Sequence, residues 1–187
     1  MNDEPDRVLD GYLVVLIQGG SREAFDRLAH RWTPRLVRFI TRTVGRPELA
    51  RDIVQETWIG AIRGLKRLTD PAQFPSWIYS IARKKCVDMI RFNQRQRRLV
   101  ASAQAAAHLD AAIDQGGCAP GDAVDLAAAI ARLSPEQRDV VNLFYGEDLR
   151  VEEIAAVLEV PIGTVKSRLH HARESIKKLI GEGHGQH

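Results

Sequence analysis

The stretch from Val151 to Arg173, VEEIAAVLEVPIGTVKSRLHHAR, predicts two short helices separated by a tight turn. Apolar residues recur at helical spacing between Val151 and Leu158, and Pro161 cannot continue that helix because it lacks a backbone N–H. Beyond the turn, a second helix carries one narrow apolar stripe, which consists of Val165, Leu169, Ala172, Ile176 and Leu179. The segment therefore predicts a helix–turn–helix.

The other faces of the second helix are polar and mostly cationic. They carry Thr164, Lys166, Ser167, Arg168, His170, His171, Arg173 and Lys177. In a helix–turn–helix, the first half of the second helix enters the major groove, where small polar side chains and cations meet base edges and phosphates. The pattern favours a DNA-binding helix, and a surface helix with a solvated charged face is the alternative.

Charge is distributed unevenly along the 187 residues, although the net charge is only +3. Residues 1–98 hold 19 Lys and Arg against 11 Asp and Glu, whereas residues 99–162 hold 3 against 11. The remaining cations are concentrated between Lys166 and Lys178. This distribution indicates two separate surfaces that face polyanions. A hydrophobic content of 44% is enough for packed cores and excludes disorder of the whole chain.

The two cysteines, Cys86 and Cys118, predict neither a disulfide framework nor a zinc site, because no C-x-x-C and no histidine at ligand spacing accompanies them. A reduced cytosol fits this usage best. The apolar run from Tyr12 to Ile17 is too short to span a bilayer, so we expect neither secretion nor membrane insertion. No catalytic constellation or cofactor motif is found, so we expect no enzymatic activity and no cofactor.

The N-terminal half predicts three amphipathic helices and no strand. Ser21 is the expected N-cap of the first, and Pro34 marks a kink or a restart within it. The second runs from about Glu48 to Leu65, and the third from about Pro75 to Arg97. The second helix is expected to bury Val54, Trp58, Ala61, Ile62 and Leu65.

The opposite side of the second helix carries a separate stripe of mixed polarity. Its members are Asp52, Gln55, Glu56, Ile59 and Arg63, which follow one another at helical spacing. A polar stripe with one isoleucine suits a partner helix, and a solvated face is the alternative.

The third helix presents a basic face. Lys84, Asp88, Arg91 and Arg95 line up along it, and seven Lys or Arg with a single Asp occur between Arg83 and Arg98. Such a face is suited to lie along phosphates, and a solvated basic helix end is the alternative.

The segment from Leu99 to Asp122 is rich in alanine and lacks aromatic residues, Lys and Arg, which predicts a linker. A second module follows from Ala123. Within it, Ser134-Pro135-Glu136-Gln137 forms a capping box that starts a helix running to Tyr145 and stopping at Gly146.

Four of these segments together resemble the small extracytoplasmic-function (ECF) sigma factors of bacterial RNA polymerase. They are DIVQETW (52–58), FPSWIYSIARKKCVDMIR (74–91), LSPEQRDVVNL (133–143) and VPIGTVKSRLHHAR (160–173). The resemblance implies an all-α fold of two helical modules joined by a flexible linker. A three-to-four-helix region 2 bundle would span residues 1–98, the linker 99–122, and a four-helix helix–turn–helix region 4 domain 123–187.

The resemblance also assigns functions to residues. The polymerase-binding stripe, docking on the clamp helices of the largest subunit, would consist of Asp52, Gln55, Glu56 and Ile59. Contacts to the minus-10 element would come from Asp70, Gln73, Lys84, Asp88, Arg91 and Arg95. Contacts to the minus-35 element would come from Thr164, Lys166, Ser167, Arg168, His170, His171 and Arg173. The other implied partners are the polymerase flap and an anti-sigma factor, and the implied location is the cytoplasm.

Some positions depart from the family pattern or allow two interpretations. Arg150 stands where Ser or Thr usually caps the first helix of the turn motif, and Glu159 stands where glycine is usual. Lys84 replaces a common Asn, so the base preference at the minus-10 element is expected to differ. Phe74 and Trp77 could be melting wedges, although the helical spacing of Trp77 favours a place in the core.

Two other functions compete with this interpretation. The first is a stand-alone helix–turn–helix regulator, which would leave the stripe from Asp52 to Ile59 without a role. The second is a metal-dependent nuclease that uses Asp52, Glu56 and a histidine.

Overall fold

The computed structural model describes residues 3–104 and 122–183, and all regular secondary structure in these two ranges is helical. The α-helices are α1 (Asp3–Gln18), α2 (Arg22–Val44), α3 (Pro47–Gly64), α4 (Phe74–Gln104), α5 (Asp122–Ala131), α6 (Pro135–Val141), α7 (Val151–Leu158) and α8 (Ile162–Gly183). Short 3-10 turns occupy Leu65–Arg67 and Pro71–Gln73, and a π-helical turn, Asn142–Gly146, continues α6. The predicted all-α fold is confirmed.

Helix α1 was not among the three helices expected in the N-terminal half. It buries Leu13 and Val14, but its outer side is also apolar, because Val8, Tyr12 and Val15 are exposed. Because both sides of this helix carry apolar residues, the sequence lacks the clear separation of apolar and polar faces from which an amphipathic helix is predicted.

Helix α2 begins and ends where the sequence signals place it. Ser21 caps its start, with Oγ accepting from the Ala24 N–H at 3.2 Å. Gly45 ends it with φ 69°, a left-handed conformation that glycine adopts without steric cost. The expected restart at Pro34 is wrong, since α2 continues through this exposed proline.

Helix α3 buries Val54 and Ala61, but the predicted burial of Ile62 is wrong: 57% of Ile62 is exposed. The physical reason is the helical period. Ile62 follows Gln55 by seven residues and Ile59 by three, so it lies on the same side as the mixed-polarity stripe. Trp58 is half-buried, and its indole N–H donates to Thr33 Oγ1 at 3.1 Å.

An aromatic cluster fixes the start of α4 against α2. The ring of Trp32 lies edge-to-face against Phe74 and Tyr79, with centroids 5.2 and 5.5 Å away, and Phe39 contacts Tyr79 at 5.0 Å. Phe74 is fully buried, which excludes it as a melting wedge in this arrangement. Trp77 is half-buried and packs against the same core, as its spacing favoured.

The C-terminal module consists of α5 to α8. The predicted capping box is present, since Ser134 Oγ accepts from the Gln137 N–H and Gln137 Oε1 accepts from the Ser134 N–H, both at 3.2 Å. After α6 the helix widens into the π-helical turn, and this turn ends at Gly146. A small cluster of Leu133, Val141 and Ala172 joins α6 to α8.

The two modules pack against each other in the described structure. Their buried residues form one continuous cluster, in which Leu143, Leu149 and Ile154 join the core built by α1 to α4. Helix α7 lies against α4. Helix α4 itself continues to Gln104, into the segment that the sequence assigned to the linker, while residues 105–121, including Cys118, lie outside the described residues.

Candidate nucleic-acid interface

The turn between α7 and α8 has the geometry that the sequence predicted. Ile154, Val157 and Leu158 are buried, and Glu159 adopts the left-handed conformation with φ 54° and ψ 44°. The Val160 N–H closes the helix end by donating to the Ala155 carbonyl at 3.1 Å. A non-glycine residue in this conformation costs on the order of 1 kcal/mol, so the turn is strained at Glu159.

Helix α7 begins without a side-chain acceptor at its N-cap, because the guanidinium of Arg150 only donates. Glu153 partly replaces the missing capping group, since its carboxylate accepts from the Arg150 N–H at 2.7 Å. The same carboxylate forms an ion pair with Arg7 of α1. Glu153 therefore both caps the helix–turn–helix and ties it to the first module.

Helix α8 turns its predicted apolar stripe inward and its polar side outward. Val165, Leu169 and Ala172 are buried. Lys166, Ser167, His170, His171 and Arg173 are exposed, whereas Thr164 and Arg168 are half-buried. Small polar and cationic groups thus face outward at the start of the second helix, where a major groove would meet them.

Arg173 is held in place by aromatic residues of the π-helical turn. Its Nε donates to the Tyr145 hydroxyl at 2.8 Å, and its guanidinium lies 5.8 Å from the ring centre of Phe144 and 5.7 Å from that of Tyr145. Cation–π contacts of this kind fix the direction of the charge. This support was not predicted from the sequence, because Phe144 and Tyr145 lie almost thirty residues before Arg173.

The basic face of α4 lies on the surface as predicted. Lys84, Asp88, Arg91 and Arg95 are all exposed. Lys84, Asp88 and Arg91 line one cleft of about 340 Å³, and its opposite wall includes Val157 and Glu159 from α7 and its turn. The structure therefore brings three minus-10 candidates together and places the helix–turn–helix beside them.

The other two minus-10 candidates form a separate cluster at the start of α4. Gln73 Nε2 donates to Asp70 Oδ2 at 3.0 Å, and Asp70 Oδ1 accepts from the Ala72 N–H at 3.0 Å. Both residues are exposed. Gln18 anchors the preceding loop by donating to the carbonyls of Leu65 and Leu68 at 3.0 and 2.7 Å. The loop predicted from the Asp-Pro pair contains one 3-10 turn.

The mixed-polarity stripe of α3 is accessible. Asp52, Gln55 and Glu56 are exposed and Ile59 is half-buried. Glu56 accepts from Lys85 Nζ of α4 at 2.9 Å. Phe92, which is 56% exposed, lines a groove of about 280 Å³ next to this pair. Phe92 and Ile62 also belong to this surface and were not predicted, although the period of each helix could have placed them there.

The described residues show no sign of metal or thiol chemistry. No group of three or more His, Cys, Asp or Glu within residues 3–104 and 122–183 could hold a metal ion. Cys86 is buried, and burial raises its pKa to about 12, so its thiol stays protonated. None of the described helices is both long enough and apolar enough to span a bilayer.

Two known protein families match this chain, one in each half. The Sigma-70 region 2 family matches residues 28–96, and the Sigma-70, region 4 family matches residues 123–176, together more than half of the chain. The ECF RNA polymerase sigma factor SigW of Bacillus subtilis is 29% identical over 88% of this chain and 92% of its own length. The RNA polymerase sigma factor CarQ of Myxococcus xanthus is 29% identical over 87% and 92%.

Solved structures show the same fold. The sigma factor RpoE of Bartonella quintana, in complex with the anti-sigma factor NepR, has a TM-score of 0.66 and 23% identity over 84% of this chain and 96% of its own. CnrH in complex with the cytosolic domain of CnrY has a TM-score of 0.68 and 23% identity over 93% and 98%.

The Sigma-70 region 2 and region 4 matches together identify this pair of helical modules as a DNA-binding protein of the sigma-70 class. Within that class, the chain belongs to the ECF sigma factors, which direct transcription initiation and are not enzymes. Family membership thus excludes the nuclease alternative. Sigma factors bind core RNA polymerase, a partner that a stand-alone regulator would lack.

Proposed function

We propose that the α3 stripe docks this sigma factor on the clamp helices of the largest polymerase subunit. The observation that supports this role is the exposure of Asp52, Gln55 and Glu56 on a helix whose opposite side is buried in the core. A second contact, between the C-terminal module and the polymerase flap, would align the helix–turn–helix with the DNA upstream.

The minus-10 element is bound by the exposed face of α4 and by the Asp70–Gln73 cluster. Lys84, Arg91 and Arg95 attract the separated strand, and Asp88 provides an acceptor among them. Extruding a base from the stack costs a few kcal/mol, which cationic contacts to the strand and a prepared pocket must offset. The hydrogen bond between Gln73 and Asp70 supports this role, because it fixes both side chains before DNA arrives.

The minus-35 element is bound by α8 in the major groove. Lys166, Ser167 and His170 contact base edges, and the other polar residues of the helix face contact phosphates or support those contacts: Thr164, Arg168, His171 and Arg173. Phosphate contacts set the position of the helix and base contacts set its sequence preference. The fixed guanidinium of Arg173 suits a positioning role.

The proposed sigma-factor role also implies how the protein is regulated and where it acts. An anti-sigma factor would bind this chain, as NepR binds RpoE and CnrY binds CnrH in the similar structures. The protein would act in the cytoplasm, where polymerase and chromosome are found. Residues 1–98, 99–122 and 123–187 would act as region 2, linker and region 4.

Transcript mapping tests the function directly. Core polymerase reconstituted with this protein is incubated with genomic DNA of the source organism, and the 5′ ends of the products are sequenced. We expect initiation sites that share one pair of elements upstream and that are missing with core polymerase alone. Failure of the protein to bind core polymerase, together with tight sequence-specific binding of the free protein to duplex DNA, would contradict the proposal.

A further inference from the structure

We propose that an exposed face of α1 continues the minus-10 surface, and that Tyr12 on this face stacks on an unpaired base of the melted promoter strand. The proposal rests on the minus-10 role proposed above. It adds a helix that lies before residues 28–96, the part of the chain that the region 2 family matches. The partner is single-stranded DNA, and four observations support it.

The first observation is an apolar face of α1 that the described residues leave open. Val8, Tyr12 and Val15 follow one another at helical spacing and are 67%, 59% and 52% exposed. The opposite side of the helix already fills its place in the core through Leu13 and Val14. A second apolar face on the same helix therefore marks a binding surface, which is called the α1 face below.

The second observation is the position of the α1 face beside the minus-10 loop. A Cβ built on Gly11 would lie 3.8 Å from the carbonyl carbon and oxygen of Pro71, so one flank of α1 touches the loop. Gln18 follows Gly11 by seven residues on this flank and donates to two carbonyls of the same loop at 3.0 and 2.7 Å. Val15, four residues after Gly11, borders the flank. The α1 face thus adjoins the turn that holds the Asp70–Gln73 cluster.

The third observation is the support that holds α1 in one orientation. Asp10 is 1% exposed, and its carboxylate accepts from Arg31 Nε at 3.1 Å. Asp6 pairs with the same guanidinium at 3.1 Å and with Arg35 at 3.4 Å. These contacts fix the rotation of the helix and compensate its carboxylates. Tyr12 is therefore a prepared platform, which lowers the entropy lost when a base stacks on it.

The fourth observation is a pair of cations on the same loop. Lys66 and Arg67 are exposed in the 3-10 turn that Gln18 anchors to α1. Neither residue was predicted to contact the minus-10 element. Proteins that bind single strands combine aromatic side chains, on which bases stack, with cations that follow the phosphates. Tyr12, Lys66 and Arg67 supply this combination next to the Asp70–Gln73 cluster.

The two parts of this surface have different tasks. Every base has an aromatic face, so stacking on Tyr12 stabilises the melted strand on any sequence. Asp70 and Gln73 offer hydrogen-bonding groups and can distinguish one base from another. We therefore expect Tyr12 to set the lifetime of the open promoter complex, and the Asp70–Gln73 cluster to set base preference.

The lifetime of the open complex tests the stacking contact. Core polymerase reconstituted with each variant is bound to a mapped promoter and challenged with heparin. Tyr12→Ala should shorten the lifetime at least fivefold, and Tyr12→Phe, which keeps the ring, should stay within twofold of the wild type. Tyr12→Leu keeps apolar bulk without an aromatic face and should behave like Tyr12→Ala. A wild-type lifetime for Tyr12→Leu would mean an apolar contact with protein and would overturn the proposal.

Photo-cross-linking identifies the partner directly. The cross-linking amino acid p-benzoylphenylalanine replaces Tyr12 in the holoenzyme on a promoter whose strands are labelled separately. We expect a cross-link to one strand within the melted region. Cross-links to a polymerase subunit, or to duplex DNA alone, would overturn the proposal. The same amino acid at Ile62, which is 57% exposed on α3, is the position control and should cross-link to polymerase and not to DNA.

The control separates failure of this proposal from failure of the proposed function. If Ile62 cross-links to polymerase and Asp70→Ala changes base preference, whereas Tyr12 reaches no DNA, only the α1 contact is wrong. If Asp70→Ala leaves base preference unchanged but Tyr12 cross-links to the melted strand, the α1 contact holds and the role of the cluster is wrong.

The cations are tested by salt dependence on a forked probe that contains the minus-10 region and lacks a minus-35 element. Lys66→Ala combined with Arg67→Ala should reduce the slope of log affinity against log salt by about 1.4, as expected for two phosphates of a single strand. Lys177→Ala combined with Lys178→Ala removes the same charge from exposed positions of α8 and should leave the slope unchanged. Equal slopes for the two double variants would refute the phosphate contacts.

Discussion

At the scale of single residues, Glu159 combines local strain with a charge at a functional cleft. Its φ of 54° is one that glycine adopts freely. We expect Glu159→Gly to raise the free energy of unfolding by up to about 1 kcal/mol, partly offset by the greater entropy of glycine in the unfolded chain. Urea unfolding measures this change. Glu159→Ala keeps the strain and removes the charge, so an equal gain in both variants would contradict the strain explanation.

Lys166 is the residue for which base recognition and phosphate contact can be separated. Lys166→Ala should weaken discrimination against an altered minus-35 base by about 1–3 kcal/mol if the ammonium group contacts that base. Competition binding with single-base variants of a mapped promoter measures it. Arg173→Ala is the comparison and should weaken binding about equally on every sequence, as expected for a positioning cation. Uniform weakening by Lys166→Ala would assign Lys166 to phosphate contact.

Glu147 makes the contact between the two modules sensitive to pH. Burial raises its pKa, although the hydrogen bond from Tyr79 and the charges of Arg42, Arg38 and Arg35 act in the opposite direction. A carboxyl group whose pKa is raised by the contact binds protons more tightly while the modules are together. The contact is therefore favoured as pH falls through that raised pKa, and this contribution is lost as pH rises.

We thus expect energy transfer between dyes on Asp26→Cys and Lys178→Cys, in a Cys118→Ser background, to increase in the free protein as pH falls from neutrality towards the ordinary carboxyl pKa of 4.5. Burial also raises the pKa of Asp139, despite the opposing effect of Arg83, so this group contributes with the same sign. Glu147→Gln keeps an acceptor for Tyr79 and should reduce the pH dependence without opening the protein. An unchanged pH profile in Glu147→Gln would contradict the assignment to this group.

At the scale of helices, α3 divides its two sides between the core and the polymerase. Gln55→Ala combined with Glu56→Ala should weaken binding to core polymerase by on the order of tenfold, because the minority of interface residues that dominate binding cost more than about 1 kcal/mol each when truncated. Binding of the full chain to a minus-35 duplex should stay unchanged. Loss of both activities would contradict separate roles for the two modules.

A measurement of thermal stability provides the control for the Gln55→Ala and Glu56→Ala double variant. The bond between Glu56 and Lys85 is exposed, so its loss should cost less than about 1 kcal/mol. Thermal unfolding that matches the wild type would assign the binding defect to the surface. Arg63→Ala, which changes another exposed residue of the same helix, tests whether the contact extends along the stripe.

Local signals predicted helix ends better than helix faces. Ser21, Gly45 and the Ser134 capping box act through atoms within a few residues, and each behaves as its sequence indicated. Ile62 could have been placed from the helical period, whereas helix α1 was missed because its burial depends on which apolar side chains meet a partner. A partner surface formed by distant segments leaves no local pattern in the sequence.

The π-helical turn after α6 is a second feature that was not predicted from the sequence. The sequence predicted one helix from Ser134 to Gly146, and the wider turn at Asn142–Gly146 was not foreseen. This turn presents Tyr145 to Arg173 and the buried Glu147 to Tyr79. Both contacts span many residues, so they could not be derived from the helix pattern alone.

At the scale of the whole molecule, the arrangement of the two modules is the feature that sequence analysis left open. It depends on contacts such as the Arg7–Glu153 pair, whose members are 146 residues apart. Composition did predict two surfaces for polyanions, and the structure places charged faces on α4 and α8. It could not predict that the turn of the helix–turn–helix and the basic face of α4 line one cleft.

Small-angle scattering tests this arrangement in solution. A compact chain of this length has a radius of gyration of about 16 Å. We expect the free wild type to lie close to that value and Glu147→Arg to exceed it by several ångströms, because the modules then move apart on their linker. Equal and large radii for both proteins would contradict the contact between the modules in solution.

Tyr79 contacts both modules at once. Its ring packs between Trp32 and Phe39 in the core of the first module, while its hydroxyl donates to Glu147 of the second. A lineage that exchanged this tyrosine for phenylalanine would retain the ring packing and a folded sigma factor. It would lose the hydroxyl by which this ring reaches the second module, and the two modules would then hold each other less tightly.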